Sequence, residues 1–424
     1  MSVKVLKGTI AHTPTKEKFE IFEDSYIIVE NGKVVDIQEE LEGKYKGTEV
    51  EDYTGKLIIP GFVDIHLHAT QYPNIGLGMD KELIPWLETY TFPEESKYED
   101  IEYAEKVFKK FLNDLWRVGT LRSVVFSSIH KESAELLLDM FIESGLSAYV
   151  GKVNMDRNAP DYLIQDKETS LKETEEILKK YAGKSELVKP IVTPRFAPSC
   201  SDELLEILSE LPSKHKVAVQ SHLNENTSEI EWVKELFPDS KDYASVYDDF
   251  NLFGNTKTVM AHCIHNTNDE IDLMAEKGVY AAHCPFSNYN LSSGIMPVRK
   301  YLDRDAKVGL ASDISGGDKL SIADVMVAAI QASKMIWLDS DKELDPLTFP
   351  ESFYLGTKGG GEFFGKVGSF EKGYEFDALV IDDSEFTDLN DLTVGERLEK
   401  YIYAGDDRNI QERYVSGEKV NKPY

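Results

Sequence analysis

Positive charge is scarce in this chain of 424 residues. Lysine and arginine number 47 against 76 aspartates and glutamates, for a formal net charge of −29. A surface so acidic cannot neutralise phosphates, which argues against nucleic acid and anionic membranes as partners and favours a small-molecule substrate. Cysteine is scarcer still. Cys200, Cys263 and Cys284 are too few for a disulfide framework and suit a reducing cytoplasm. Each reads as a small buried hydrophobe. Long apolar runs are missing, and none approaches the ~20 residues of a membrane span. The opening residues, Met1 to Gly8, lack a signal-peptide core. Repeats of fixed period and low-complexity linkers are also absent. The expectation is a cytoplasmic protein of ordinary globular composition.

What is present starts at residues 57–72. An apolar, strand-like run ends in His66-Leu67-His68, with Asp64 one step behind. In a strand, residues i and i+2 face the same side, so both imidazoles project together, which is the beginning of a metal site. Before this stretch, residues 3–12 and 25–37 read as strands, with Asn31-Gly32 as a hairpin turn. From residue 58, short apolar runs alternate with amphipathic segments. The runs are 57–66, 120–126, 148–154, 188–194, 216–221, 257–261, 278–282 and 307–311. Helical spacing marks 99–118, 131–145, 170–182, 202–211, 268–277 and 321–337. Eight buried parallel strands separated by helices predict a (β/α)8 barrel over 58–364. After residue 360 the helical pattern stops. Residues 366–382 and 401–420 read as strands, so 1–57 and 365–424 are expected to form one small β-sandwich from both chain ends.

In such barrels the chemistry sits at the C-terminal ends of the strands. Here those ends carry His66 and His68, His222, His262, His283 and Asp313, which places five of the nine histidines at one mouth. Imidazole and carboxylate together suit Zn2+ or Fe2+. Three histidines and one aspartate leave a position for water, whose pKa a bound metal lowers from ~15.7 toward 7. A proton shuttle is then required. Glu225, three residues past His222, is the candidate, the alternative being a carboxylate at a helix start. His12, His130, His215 and His265 fall in turns or at run starts and are not expected to ligate.

The stretch from Pro60 to His68, with His222, His262 and Ser312-Asp313, resembles the amidohydrolase superfamily, and the likeness extends through 368–379 in the terminal β-region. Further stretches carry a narrower likeness to its guanine-acting members. These are His68 to Gly78, Trp86 to Glu95, Asn154 to Tyr162, Thr193 to Cys200 and Gln220 to Glu225. The resemblance implies hydrolytic deamination of guanine to xanthine and ammonia, with one zinc per chain on His66, His68, His222 and Asp313. It implies that Glu225 shuttles protons and that His262 hydrogen-bonds the attacking water or the oxygen of the tetrahedral carbon rather than ligating, with Asp313 as a second catalytic group. It places Arg195 and Phe196 on the base and Gln71 on the purine edge, beside His222, Glu225 and Asp313. Members with two metals use a modified lysine at the end of strand four; here that end carries Pro194-Arg195-Phe196, which favours one metal. A homodimer is the family expectation.

Physically, a planar base needs an aromatic wall and a few placed hydrogen bonds. Phe196, Trp86 and Tyr72 are candidate walls, and His283 has a supporting place. Residues 70–98 are expected to cover the site and exclude bulk water. Competing readings are deamination of cytosine, a triazine or another aminated ring, and a barrel that binds without chemistry.

Overall fold

The computed structural model describes residues 3–387 and 391–424; residues 1–2 and 388–390 of the expected terminal domain lie outside them. The chain opens with three antiparallel strands, β1 (Val3–Thr15), β2 (Lys18–Glu30) and β3 (Lys33–Gln38). The turn between β2 and β3 is the predicted one. Asn31 and Gly32 have φ of 48° and 79°, as a two-residue hairpin turn requires. Gly32 is also pressed against the chain's other end, where an added Cβ would lie 2.3 Å from the Ser416 carbonyl oxygen. β4 (Glu51–Pro60) then runs parallel to β1.

The predicted run 57–66 proves to be two strands. Leu57–Pro60 belongs to β4, and β5 (Phe62–His68) starts beyond Gly61. Gly61 sits so close to the next strand that a Cβ would lie 2.3 Å from Leu121 Cδ1. The parallel strands follow as β6 (Thr120–Phe126), β7 (Ser147–Gly151), β8 (Val153–Asn154), β9 (Val188–Pro190), β10 (Thr193–Pro194), β11 (Val219–Leu223), β12 (Thr258–His262), β13 (Tyr280–His283) and β14 (Lys307–Leu310). They form one arc in the order β5-β6-β7-β9 and another in the order β11-β12-β13-β14, with a short β10-β8 pair. Backbone bonds join the arcs at both ends. Val192 receives Gln220 N–H at 3.0 Å on one side, and His66 O receives Asp313 N–H at 3.0 Å on the other. Val63, Ile65, Val124, Ile191, Val259 and Ala282 pack with Phe363 in one buried cluster.

The helices sit where the apolar spacing put them, with ends set by caps. In the helix Ile101–Arg117, Ala104, Phe108, Phe111, Leu112 and Leu115 are buried, and Asp100 accepts the Glu102 and Tyr103 N–H groups at its start. The helix Asp202–His215 runs past the expected end at residue 211. It stops where Lys216 turns left-handed, and strand β11 starts three residues and ends two residues later than predicted. None of the described helices is long and apolar enough to cross a membrane.

The last strands are β15 (Ala378–Ile381), β16 (Ile410–Val415) and β17 (Glu418–Lys419). They join the first four in one sheet, ordered β17-β16-β15-β4-β1-β2-β3. Both chain ends thus share a β-unit as expected, but the strands are bonded in one continuous series rather than two. The stretch 401–420 holds β16 and β17 as expected, but its first four residues close a helix, Val394–Ala404. Its Leu398, Tyr401 and Ile402 lie at helical spacing, and Thr393 and Glu396 form a reciprocal cap at its start.

A buried ion pair ties this sheet to the parallel strands. Arg122 on β6 donates to both oxygens of Asp377, through Nη2 at 3.0 Å and through Nε. Asp377 Oδ1 also receives the Ser416 N–H at 2.8 Å. Removing one member leaves the other charge buried without a partner, which typically costs about 3–5 kcal/mol. Asp377→Ala is therefore expected to lower the urea midpoint markedly. A midpoint unchanged from the parent would show that the pair is not needed for stability.

Candidate active site

Strand alternation puts His66 and His68 on one face of β5, with ring centroids 4.9 Å apart. His222 near the end of β11 brings its Nε2 to 3.1 Å from His68 Nε2. Asp313 lies in the loop after β14, where a left-handed backbone (φ 46°) turns its carboxylate toward the same point. Its Oδ1 is 3.2 Å from His66 Nε2 and 3.5 Å from His68 Nε2. Asp64 secures this arrangement from behind. Its carboxylate accepts the backbone N–H of His66 and of Ser312, both at 3.2 Å, and the Ser312 hydroxyl. Burial pushes the Asp64 carboxyl up to about 7, against the pull of those bonds.

These residues fit a metal. His66, His68 and Asp313 offer donor atoms within 4.8 Å of one another, as do His66, His222 and His262. His66 Nε2 is buried without a hydrogen-bond partner among the described residues. His222 Nδ1–H donates to the Arg195 carbonyl at 2.6 Å, which leaves the Nε2 lone pair free to ligate. Burial lowers the pKa of His66, and lowers those of His68 and His222 well below the usual imidazole value. Burial alone would raise Asp313, but the His66 and His262 imidazoles beside it together outweigh that and hold it at about 2. The set is thus three neutral imidazoles and one carboxylate, the protonation a metal requires. Cys284 lies within the same reach of His262 and Asp313. Its thiol donates to the Ala282 carbonyl at 3.3 Å, and burial holds its pKa well above normal, so it stays a neutral packing residue.

Beside the donors, His262 Nδ1 meets Asn288 Oδ1 at 3.1 Å. Its Nε2 faces Glu225 Oε2 at 3.4 Å and Asp313 Oδ2 at 3.8 Å. Glu225 is buried, and its Oε1 has no partner. Burial raises its pKa well above the carboxylate range, and the charges of Glu229 and Asp313 add to this. Its main chain is fixed independently of the side chain, because Glu229 Oε2 receives the N–H of both Glu225 and Asn226.

A cavity of about 390 Å³ opens from these groups. Arg195 and Gln71 lie on its wall with Phe196 and Trp86. Tyr72 does not. Its hydroxyl bonds to Asp114 and receives Lys110 Nζ, and its ring packs on Phe111, so Tyr72 serves packing instead. His283 is also off the cavity wall. It is buried with neither ring nitrogen bonded, and burial drops its pKa to about 3. Four residues escaped the sequence reading. Leu83 and Leu87, one helical turn apart in the covering segment, and Leu291 supply apolar wall. Glu95, buried, receives Gln71 Nε2 at 3.0 Å and Arg195 Nη1 at 2.5 Å. Leucine spacing could have indicated the first two; no sequence signal pairs Glu95 with residues 24 and 100 positions away.

The chain belongs to the amidohydrolase family, whose sequence model matches residues 57–420. Its full-length similarity within that family is to guanine deaminases. The enzyme from Dictyostelium discoideum is 41% identical, over 99% of this chain and 98% of that protein. The enzyme from Escherichia coli is 35% identical, over 94% and 91%. A crystal structure of guanine deaminase from C. acetobutylicum, with guanine bound in its active site, has a TM-score of 0.97 to this chain. It is 52% identical and covers 99% of this chain and 100% of that one.

Proposed function

We propose that this protein hydrolyses guanine to xanthine and ammonia, with a single zinc ion held by His66, His68, His222 and Asp313. The observation that carries this reading is that Arg195 and Gln71 line the same small cavity as His68, His222 and Asp313. Guanine has a carbonyl for the Arg195 donors that Glu95 does not occupy, whereas adenine offers them no carbonyl. Phe196 and Trp86 offer apolar wall for a planar base. When bound, zinc supplies a water made acidic enough to give hydroxide near neutral pH. Asp313 accepts a proton from the attacking water, and His262 hydrogen-bonds that water. Glu225 delivers a proton to the ring nitrogen beside C2 as the C2–O bond forms. The proton on Asp313 then passes to the amino group, the C2–N bond breaks and ammonia leaves, while Glu225 takes the proton of the new C2 hydroxyl as the C2=O bond forms. Leu83, Trp86 and Leu87 of the covering segment keep bulk water out.

We further read the two arcs, bonded to each other at both ends, as one closed (β/α)8 barrel over residues 58–364, with the single terminal sheet folded over a shared core of Ile27, Val29, Ala378 and Tyr414 as the sandwich-like unit of both chain ends. One zinc per chain is checked by metal analysis. The activity is checked by ultraviolet assay of the zinc-loaded protein with guanine, cytosine and adenine in parallel. Guanine should disappear with matching xanthine and ammonia. Turnover of another ring, but not guanine, would discard the substrate and keep the metal site.

A further inference from the structure

We propose that Glu95 is the specificity-determining positioning residue of this site: its carboxylate holds Arg195 and Gln71 in place together and so sets the preference for purines that carry a ring carbonyl. This rests on the guanine reading of the cavity. Glu95 ends the helical turn Phe92–Glu95 in the segment that covers the mouth. It is 6% exposed and does not itself line the cavity. Each of its oxygens has a different task. Oε1 takes Gln71 Nε2 at 3.0 Å, and Oε2 takes Arg195 Nη1 at 2.5 Å. One carboxylate thereby joins three parts of the chain: the cover, the turn after β5, and the loop after β10.

The charge balance explains why a carboxylate is needed there. Arg195 is 3% exposed, and a buried guanidinium without a counter-charge is strongly unfavourable. A neutral base cannot supply that charge. Glu95 does, so the base needs to supply only a hydrogen-bond acceptor. Without Glu95, the carboxylates of Glu225 and Asp313, which line the same cavity, would draw the Arg195 charge. A turn toward them would take the guanidinium off the carbonyl position.

Gln71 is tied at both ends, since its Oε1 also receives the Ser315 N–H at 3.4 Å. The amide therefore keeps one orientation, with one of its two N–H bonds on Glu95 and the other free for the base. The face of the Arg195 guanidinium is set as well, because it lies over the Phe92 ring at 5.5 Å. The main chain of Arg195 meanwhile receives His222 Nδ1–H at 2.6 Å. The residue that would read the base is thus bonded through its backbone to a donor of the metal site.

The test compares two unreactive bases by calorimetry: hypoxanthine, which keeps the ring carbonyl but lacks the amino group, and unsubstituted purine, which lacks both. Guanine turnover by the parent protein is measured first. If it is absent, the activity reading fails, while the calorimetric comparison still reads the positioning role. Glu95→Gln keeps size but removes the charge. It should weaken hypoxanthine about tenfold or more and leave purine within about twofold. In turnover it should raise KM for guanine with kcat changed far less, and metal content should not move. A role as a simple latch for the cover would weaken both bases alike, and that result, or no change in either, overturns the proposal. Should Glu95→Gln fail to fold, Glu95→Asp keeps the charge on a shorter arm and is read by the same ratio of the two bases.

Discussion

Glu225→Gln is expected to reduce guanine turnover by about 10²–10⁴-fold without loss of bound metal, the usual effect of removing a positioned acid–base group. The substitution preserves shape, and the loop does not depend on the Glu225 side chain. Its backbone N–H is held by Glu229 Oε2 at 3.0 Å, and Asn226 caps the helix Thr227–Leu236. What changes is the proton. Burial, reinforced by the Glu229 and Asp313 carboxylates, keeps the Glu225 carboxyl protonated well above the usual range. A buried acid that holds its proton more tightly than an exposed carboxyl can carry it to a ring nitrogen; an amide cannot. The unpartnered Oε1 fits this role, since an oxygen already bonded inside the protein would be less free to reach a base. The measurement pairs steady-state rates with metal analysis of the same sample. Near-normal turnover would end the shuttle role. A parallel loss of metal and rate would show that Glu225 supports the donor set instead.

The groups that ligand chemistry restricts to a few residue types were legible in the sequence. His66, His68, His222 and Asp313 stand at or just past strand ends, and a metal accepts little other than imidazole, carboxylate or thiolate there. Arg195 and Gln71 were legible only through likeness, because an arginine at a strand end has many possible partners. Residues that act across the fold were not legible. Ser312 is bonded to Asp64 over 248 positions and Glu95 to Arg195 over 100. Nothing in the local pattern of either announces its partner.

The misread elements have local causes. Residues 57–66 form one apolar run, yet Gly61 divides them between two sheets, because β4 pairs with β15 from residues 378–381. That pairing is visible only once the ends of the chain meet. Tyr401, Ile402 and Tyr403 look like a strand in isolation. Their helix follows from Leu398 and from the cap at Thr393, which lie outside that short window. Tyr72 follows His68 closely and so seemed a wall of the site. The tight turn Ala69–Asn74 carries it outward to Asp114 and Lys110 instead.

Removal of the metal should abolish turnover and also lower thermal stability, and a stoichiometric addition of zinc should restore both. The second effect follows from the donor set itself. His68 Nε2 and His222 Nε2 face each other at 3.1 Å, and His66 Nε2 has no hydrogen-bond partner although it is 3.2 Å from Asp313 Oδ1. Without a cation, three buried imidazoles converge on one ionised carboxylate and share only incomplete bonds. A bound ion satisfies all four at once and binds the folded chain far better than the unfolded one. At free metal a thousandfold above its dissociation constant, that linkage is worth about 4 kcal/mol. The check is a melting curve of protein treated with a chelator, then of the same sample after zinc is returned, with activity followed in parallel. Asp64→Asn tests the support behind the site. It keeps acceptors for the His66 and Ser312 N–H groups only in part, so metal affinity should fall by about 10–100-fold, as when an outer partner of a ligand is lost. Loss of activity on chelation with no change in melting would mean that the donors are already at ease without the ion, and the case for them as one metal-holding set would be lost.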